Sequence, residues 1–272
     1  MSTKIVFNFS ENIPERETVM REIINEETPV IQKSLVEIKF PDVYKPYTYY
    51  NDSFALKFGD HVFVDGKLEG VMGVVVNITY NFKIKLSDYK RVIGKSDTNV
   101  QGEFHFAGSH FVTFDPNSLT FVKALTWFKA PEEDEEYESG TDGSSFVLEN
   151  LEGLNFDERD LGDGYEIYME NSVEYLELNG TKGRAIVVTS KPYIVEFTYK
   201  NSEISELYCE CYHVTPCKHC FATLLQLREA LKCIEENYSE EFENTNYFAT
   251  ILKGKFFTFA VDSKTTGSIN LK

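Results

Sequence analysis

Every cysteine of the 272-residue chain falls between positions 207 and 234: Cys209, Cys211, Cys217, Cys220 and Cys233. His213 and His219, two of the five histidines, share that window. Thiolate and imidazole are the donors that Zn²⁺ takes in closed four-coordinate sites. The spacing is C-x-C, a gap of five residues, then C-x-H. A C-x-C pair leaving a strand can wrap one side of an ion, and C-x-H in the first turn of a helix can close the other. Free cysteine also serves as a small apolar residue, but cysteines used that way scatter, and no other position of this chain holds one. The odd count, and an opening MSTKIVFNFS without the apolar core of a secretory leader, argue against a disulfide framework. A redox or nucleophilic cysteine is the remaining chemical alternative. Cys233 lies too far along to join the set and reads as a helix residue.

The elements needed to hold such a site are legible on both sides of it. Downstream, Cys220, Leu224, Leu227, Leu231, Ile234 and Tyr238 recur by fours and threes, and Phe221 and Leu225 widen the stripe, which predicts an amphipathic helix. Pro216 stands just before Cys217, where a helix start tolerates the missing N–H. Upstream, residues 185–189 and 193–199 read as strands paired about the turn Ser190-Lys191-Pro192. Strands, a ligand-bearing turn and a helix, with C-x-C and C-x-H in these places, closely resemble the SWIM zinc finger of bacterial type over roughly residues 160–238. The resemblance implies Zn²⁺ as cofactor and Cys209, Cys211, Cys217 and His219 as its ligands. Two features depart from the family: the gap of five is short, and Cys220 stands where an aliphatic residue usually follows the histidine. Cys220 and His213 are therefore the competing candidates for the fourth position. The resemblance also implies a binding module. SWIM domains occur in bacterial proteins associated with helicase-type ATPases, in transposases and in ubiquitin ligases, where their role is to bind DNA or protein.

Charge bears on which partner to expect. The chain carries a formal net charge of −17. Nucleic-acid binding draws most of its affinity from Lys and Arg neutralising phosphates, so an acidic chain repels that polyanion unless a basic patch is segregated on one face. The metal region has no such patch: residues 201–243 hold nine acids against Lys218, Arg228 and Lys232. A protein partner is favoured over nucleic acid, a helicase-type ATPase on a separate chain being one case. No apolar run approaches the roughly eighteen residues of a membrane span, so a cytoplasmic protein is expected. Gly94-Lys95-Ser96 mimics the end of a phosphate-binding loop, but Tyr89 stands where the opening glycine is required. No nucleotide motor is read here.

The rest of the chain reads as scaffold. A strand is expected at 4–8 and a helix over 10–27, followed by a strand at 36–40. Residues 54–128 read as all β, with strands at 58–66, 70–80, 82–86, 103–106, 111–114 and 121–128. Their rhythm of Gly-Asp-x-Val and later glycines is faintly similar to SH3-like barrels of the KOW type, which contact RNA or proteins. His105 and His110 flank Gly108-Ser109 and read as loop histidines. Residues 131–145 carry seven acids and no base, cannot pack a core, and read as a flexible linker. Beyond them, 146–161 is expected to include a short helix. Strands are expected at 164–170, 173–178 and 184–189, with Asn179-Gly180 as a hairpin turn. Residues 247–252 and 255–261 then read as a closing hairpin about Gly254.

The expected fold is α+β. A β-rich domain over 1–130, an SH3-like barrel at its centre, leads through the linker 131–145 to a zinc-stabilised ββα domain over 146–240 and a β-hairpin over 241–272. The expected function is that of a binding module and not an enzyme: an accessory or adaptor protein, or a regulatory part of a helicase-type ATPase system. A catalytic zinc keeps one position open for water, whereas four strong ligands are crowded here. Hydrolysis at the Cys/His site and an acidic mimic of DNA are the alternatives.

Overall fold

The computed structural model describes residues 3–7, 31–131, 143–151, 156–213, 216–261 and 267–272. The helix expected over 10–27 lies outside these residues, as do positions 132–142 of the acidic run. By its internal contacts the chain divides into two compact units: Phe7–Asp97 with Lys129–Glu133, and Met1–Val6 with Thr98–Phe128 and Asp134–Lys272.

The strand β1 (Thr3–Phe7) joins the sheet of the larger unit. The smaller unit is built from β2 (Ser34–Lys39), β3 (Tyr47–Asn51), β4 (His61–Val64), β5 (Gly73–Thr79) and β6 (Val92–Lys95), in the order β3-β2-β5-β4-β6. Alternate positions of β2 are buried, as its period-two pattern requires. The two edge strands meet where Tyr50 bridges Arg91 and the Tyr50 N–H donates to the Lys90 carbonyl (2.9 Å), which closes the sheet on itself. Val36, Ile38, Phe40, Tyr49, Val62, Val64, Val75 and Val92 fill the interior. Gly73 is required there, because a Cβ at that position would run into Phe40 at 2.8 Å. Residues 82–86, expected as a strand, belong instead to a connection that contains one 3₁₀ turn, Leu86–Asp88.

The larger unit begins with β7 (Gly102–Ala107), β8 (His110–Thr113) and the helix α1 (Phe121–Phe128). Next come β9 (Phe146–Val147), α2 (Glu158–Met169), β10 (Val173–Asn179), β11 (Lys182–Val188), β12 (Pro192–Lys200) and β13 (Glu203–Cys209). The chain continues through α3 (Lys218–Asn237), α4 (Ser239–Thr245), β14 (Tyr247–Leu252), α5 (Lys253–Phe256) and β15 (Gly267–Leu271). Ten strands form one sheet in the order β1-β15-β7-β8-β14-β10-β11-β12-β13-β9. The Asn179↔Lys182 pair leaves a two-residue hairpin loop in which Gly180 takes φ +60°, a conformation glycine adopts without strain.

Several expectations are corrected here. Residues 103–106 and 111–113 are in strands, but they lie in the large sheet and not in an N-terminal domain over 1–130. Residues 121–128 and 164–170 fall in helices: Phe121, Ala124 and Trp127 form one buried face of α1, and Gly164 and Ile167 one of α2. The C-terminal segment is no separate hairpin over 241–272. β14 pairs with β10 on one side and β8 on the other, while residues 253–261 are helical, α5 burying Phe256 and running into a π-turn that buries Phe259 and Ala260.

Both faces of the large sheet are covered. On one, Leu176, Leu178, Ala185, Val187, Val195 and Phe197 share a core with Leu224, Leu227, Ala230 and Ile234 of α3. Each such aliphatic side chain contributes roughly 1.5–3 kcal/mol when fully buried. On the other face, the Tyr175 hydroxyl donates to the Leu119 carbonyl (3.0 Å) and to Glu177 (2.8 Å), and Arg184 pairs with Glu177 (2.7 Å) while lying over the Phe121 ring. The buried carboxylate of Glu177 is thus both paired and hydrogen-bonded, as burial of a charge demands. β10 is covered on both sides and anchors the layer that carries α3.

Candidate metal centre

Three local structures converge on one point. Cys209 is the last residue of β13, Cys211 follows in the turn, Cys217 is the N-cap of α3, and His219 lies in the first turn of that helix. The ligand atoms of these four residues all lie within 4.8 Å of one another. The Nδ1 atom of His219 is 3.8 Å from the Cys209 sulfur and 3.8 Å from the Cys217 sulfur, and the Cys211 and Cys217 sulfurs are 3.5 Å apart. A tetrahedral site with metal–sulfur bonds of about 2.3 Å has edges of about 3.8 Å. The donor set therefore fits a closed four-coordinate ion. Cys209, Cys217 and His219 are buried and Cys211 is half-buried, so the set is shielded from water on most sides.

The surroundings of His219 assign the ring nitrogens. Nε2 is 3.4 Å from Thr189 Oγ1, and the ring stacks on Tyr193 with centroids 4.5 Å apart. With a cation on Nδ1, the Nε2–H would donate to the hydroxyl, the arrangement by which an outer partner fixes a ligating imidazole. Thr189 and Tyr193 come from the β11–β12 hairpin, in which Val187 pairs with Tyr193. Neither was legible in the sequence as part of a site. The contact joins positions 26 and 30 residues apart, and only strand register brings them together.

The thiols are electrostatically coupled. Hydrogen bonds from Cys209, then from Cys220, hold the Cys217 thiol well below its ordinary range, and the same bond to Cys217 pushes Cys209 well above it. Burial raises Cys211. A divalent ion bound by the set would ionise all of these thiols. The competing candidates fall outside the mutually close set. His213 is exposed, and its backbone carbonyl, not its ring, faces the Cys211 sulfur. Cys220 abuts Cys217 at 3.7 Å and is fully buried on the apolar face of α3. Cys233 is half-buried near the other end of that helix.

The two histidines of the β7–β8 hairpin form no site. His110 is buried, its Nε2 2.8 Å from the Val173 carbonyl and its Nδ1 2.9 Å from Ser109 Oγ. His105 lies between the rings of Phe114 and Tyr238. A cavity beside His110, lined by Gly108, Gln226, Glu229 and Cys233, measures about 20 Å³, room for one water and no substrate. No helix among the described residues is long and apolar enough to cross a membrane. No family model, curated protein or solved structure matches the chain.

Proposed function

We propose that the chain is a zinc-binding module of the SWIM type, in which Cys209, Cys211, Cys217 and His219 hold a structural Zn²⁺ and the surface organised around it binds a macromolecular partner. One observation carries this reading: four donors of the kind zinc takes, three of them buried, lie within 4.8 Å of one another, supplied by a strand end, the turn after it and a helix start. The ion would ionise the thiols and tie β13 to α3; it would supply no nucleophile, because four protein ligands leave no position for water. The acidic balance of the region favours a protein partner, a helicase-type ATPase being consistent with the resemblance, and an accessory or adaptor role in the cell. Metal analysis of the purified chain tests the centre. One equivalent of zinc, lost together with Cys209→Ser and Cys217→Ser, is expected. Well under half an equivalent, in protein prepared without chelator, removes the proposal.

A further inference from the structure

The acidity of the chain is not evenly spread. Residues 31–97, which fall in the smaller unit, hold ten Lys and Arg against eight Asp and Glu, a slight positive balance within a chain of net charge −17. Several of those acids are also engaged. Asp60 pairs with Lys95 (2.7 Å), Asp52 pairs with Arg91 (2.6 Å), and Asp65 accepts the Arg91 N–H (2.6 Å).

Lys83, Lys85 and Lys90, three of the unit's lysines, lie on one connection. Residues 80–91, between β5 and β6, contain Lys83, Lys85, Lys90 and Arg91 with Asp88 as the sole acid, and all four cations are exposed. Among the described residues, the ion pairs include none with Lys83, Lys85 or Lys90. The connection is held in place at several points. Its Phe82 ring packs edge-on against Tyr50 (6.0 Å), the Lys90 carbonyl accepts the Tyr50 N–H, and the Arg91 guanidinium lies over the Tyr50 ring (5.3 Å). The Asp65 N–H donates to the Arg91 carbonyl (3.0 Å), which sets the exposed Lys67 in the turn beside this ledge. Tyr80 opens the connection with its ring exposed, and Tyr44, Tyr47 and Phe58 are exposed elsewhere in the unit.

An anchored connection that carries three exposed lysines and opens on an exposed aromatic ring matches one ligand chemistry best. Phosphates satisfy the ammonium groups, and the faces of unpaired bases satisfy the rings. An acidic peptide offers charge without ring faces. We infer that residues 80–91 form a binding site for single-stranded nucleic acid, with phosphates on Lys83, Lys85 and Lys90 and a base stacked on Tyr80. These residues belong to the smaller unit, and the metal centre belongs to the larger.

The test is fluorescence anisotropy with the full metal-loaded chain and a labelled single strand of about twelve nucleotides, at about 50 and 200 mM salt. Saturable binding that weakens with salt is expected. The triple variant Lys83→Glu, Lys85→Glu, Lys90→Glu should bind at least tenfold more weakly at an unchanged Tm. Its log–log salt slope should be shallower by roughly two, about 0.7 for each lost phosphate contact. Tyr80→Ala should weaken binding roughly tenfold and leave the slope in place. The inference is overturned by no binding at the lower salt, by binding that the triple variant retains, or by equal affinity for a blunt duplex. It is equally overturned if phosphatidylserine vesicles or a polyglutamate peptide bind at this loop and the oligonucleotide does not.

Discussion

His219 illustrates how little freedom the centre leaves a single side chain. Its Nδ1 faces two thiols, its Nε2 faces Thr189, and its ring lies on Tyr193. His219→Ala should lower metal affinity by a hundredfold or more, and Thr189→Val by roughly tenfold through loss of the orienting hydroxyl. His213→Ala and Cys220→Val should leave it close to wild type. Chelator competition measures all four; metal release by Cys220→Val but not by His219→Ala would redraw the site with four thiolates. The cluster of Cys209, Cys211, Cys217 and His219 was legible because C-x-C and C-x-H are local patterns, whereas Thr189 and Tyr193 depend on the register of a distant hairpin. His110 supports a prediction of a different kind. Burial lowers its pKa below the ordinary 6.5, so the folded chain resists a proton that the unfolded chain accepts. The stability it contributes is present above about pH 6.5 and is lost as pH falls toward the lower folded value. In denaturant titrations of metal-saturated protein, the gap between wild type and His110→Gln should narrow from pH 7.5 to 5.5. A gap that widens would show that His110 is charged in the folded state.

At the level of elements, the sequence was legible where hydrophobic period and propensity agreed. β10, β11, β12 and α3 read correctly because β-branched runs alternate in the strands and leucines step by threes and fours in the helix. α1 and the helical segment after β14 did not, because each is rich in residues favoured in strands, Phe, Trp and Val, and α2 did not because Tyr165 and Ile167 alternate with polar residues near its end. The buried positions of those segments nevertheless follow a helical spacing, as in Phe256, Phe259 and Ala260. α2 matters to the centre through one close contact. A Cβ at Gly164 would lie 2.7 Å from the Lys218 carbonyl and 2.9 Å from the Phe221 ring, and Lys218 stands between the ligands Cys217 and His219. Overpacking of that kind costs roughly 1–3 kcal/mol, against a gain of about 1 kcal/mol from replacing glycine in a helix. Gly164→Ala should therefore lower Tm and weaken metal binding. Gly162, in the same helix with nothing within 4 Å, supplies the control, and Gly162→Ala should raise Tm. If both variants shift Tm upward, α2 and α3 do not approach as closely at Gly164 as the structure places them.

At the scale of the molecule, what matters is how far the metal's influence extends. Zinc contributes on the order of 10 kcal/mol to the folding of isolated fingers, which have little core of their own. Here the centre lies at one end of α3, whose Leu224, Leu227, Ala230 and Ile234 are buried against the strands of a ten-stranded sheet. That apolar contact does not pass through the ion, so the sheet should outlast its removal. The links that do pass through it are the turn after β13 and the first turn of α3, where Cys217 caps the helix without a side-chain hydrogen bond of its own. Hydrogen exchange before and after a strong chelator at neutral pH should show protection lost from Cys209 to about Leu225. β10 and β11 should keep theirs, and so should β4 and β5 of the smaller unit. Loss that spreads across all of β10–β13 would mean that the ion holds the whole region of residues 160–240 together. Loss that reaches β4 and β5 would mean that the two units unfold as one, and unchanged protection at Cys209 and Cys217 would mean that no ion organises the turn.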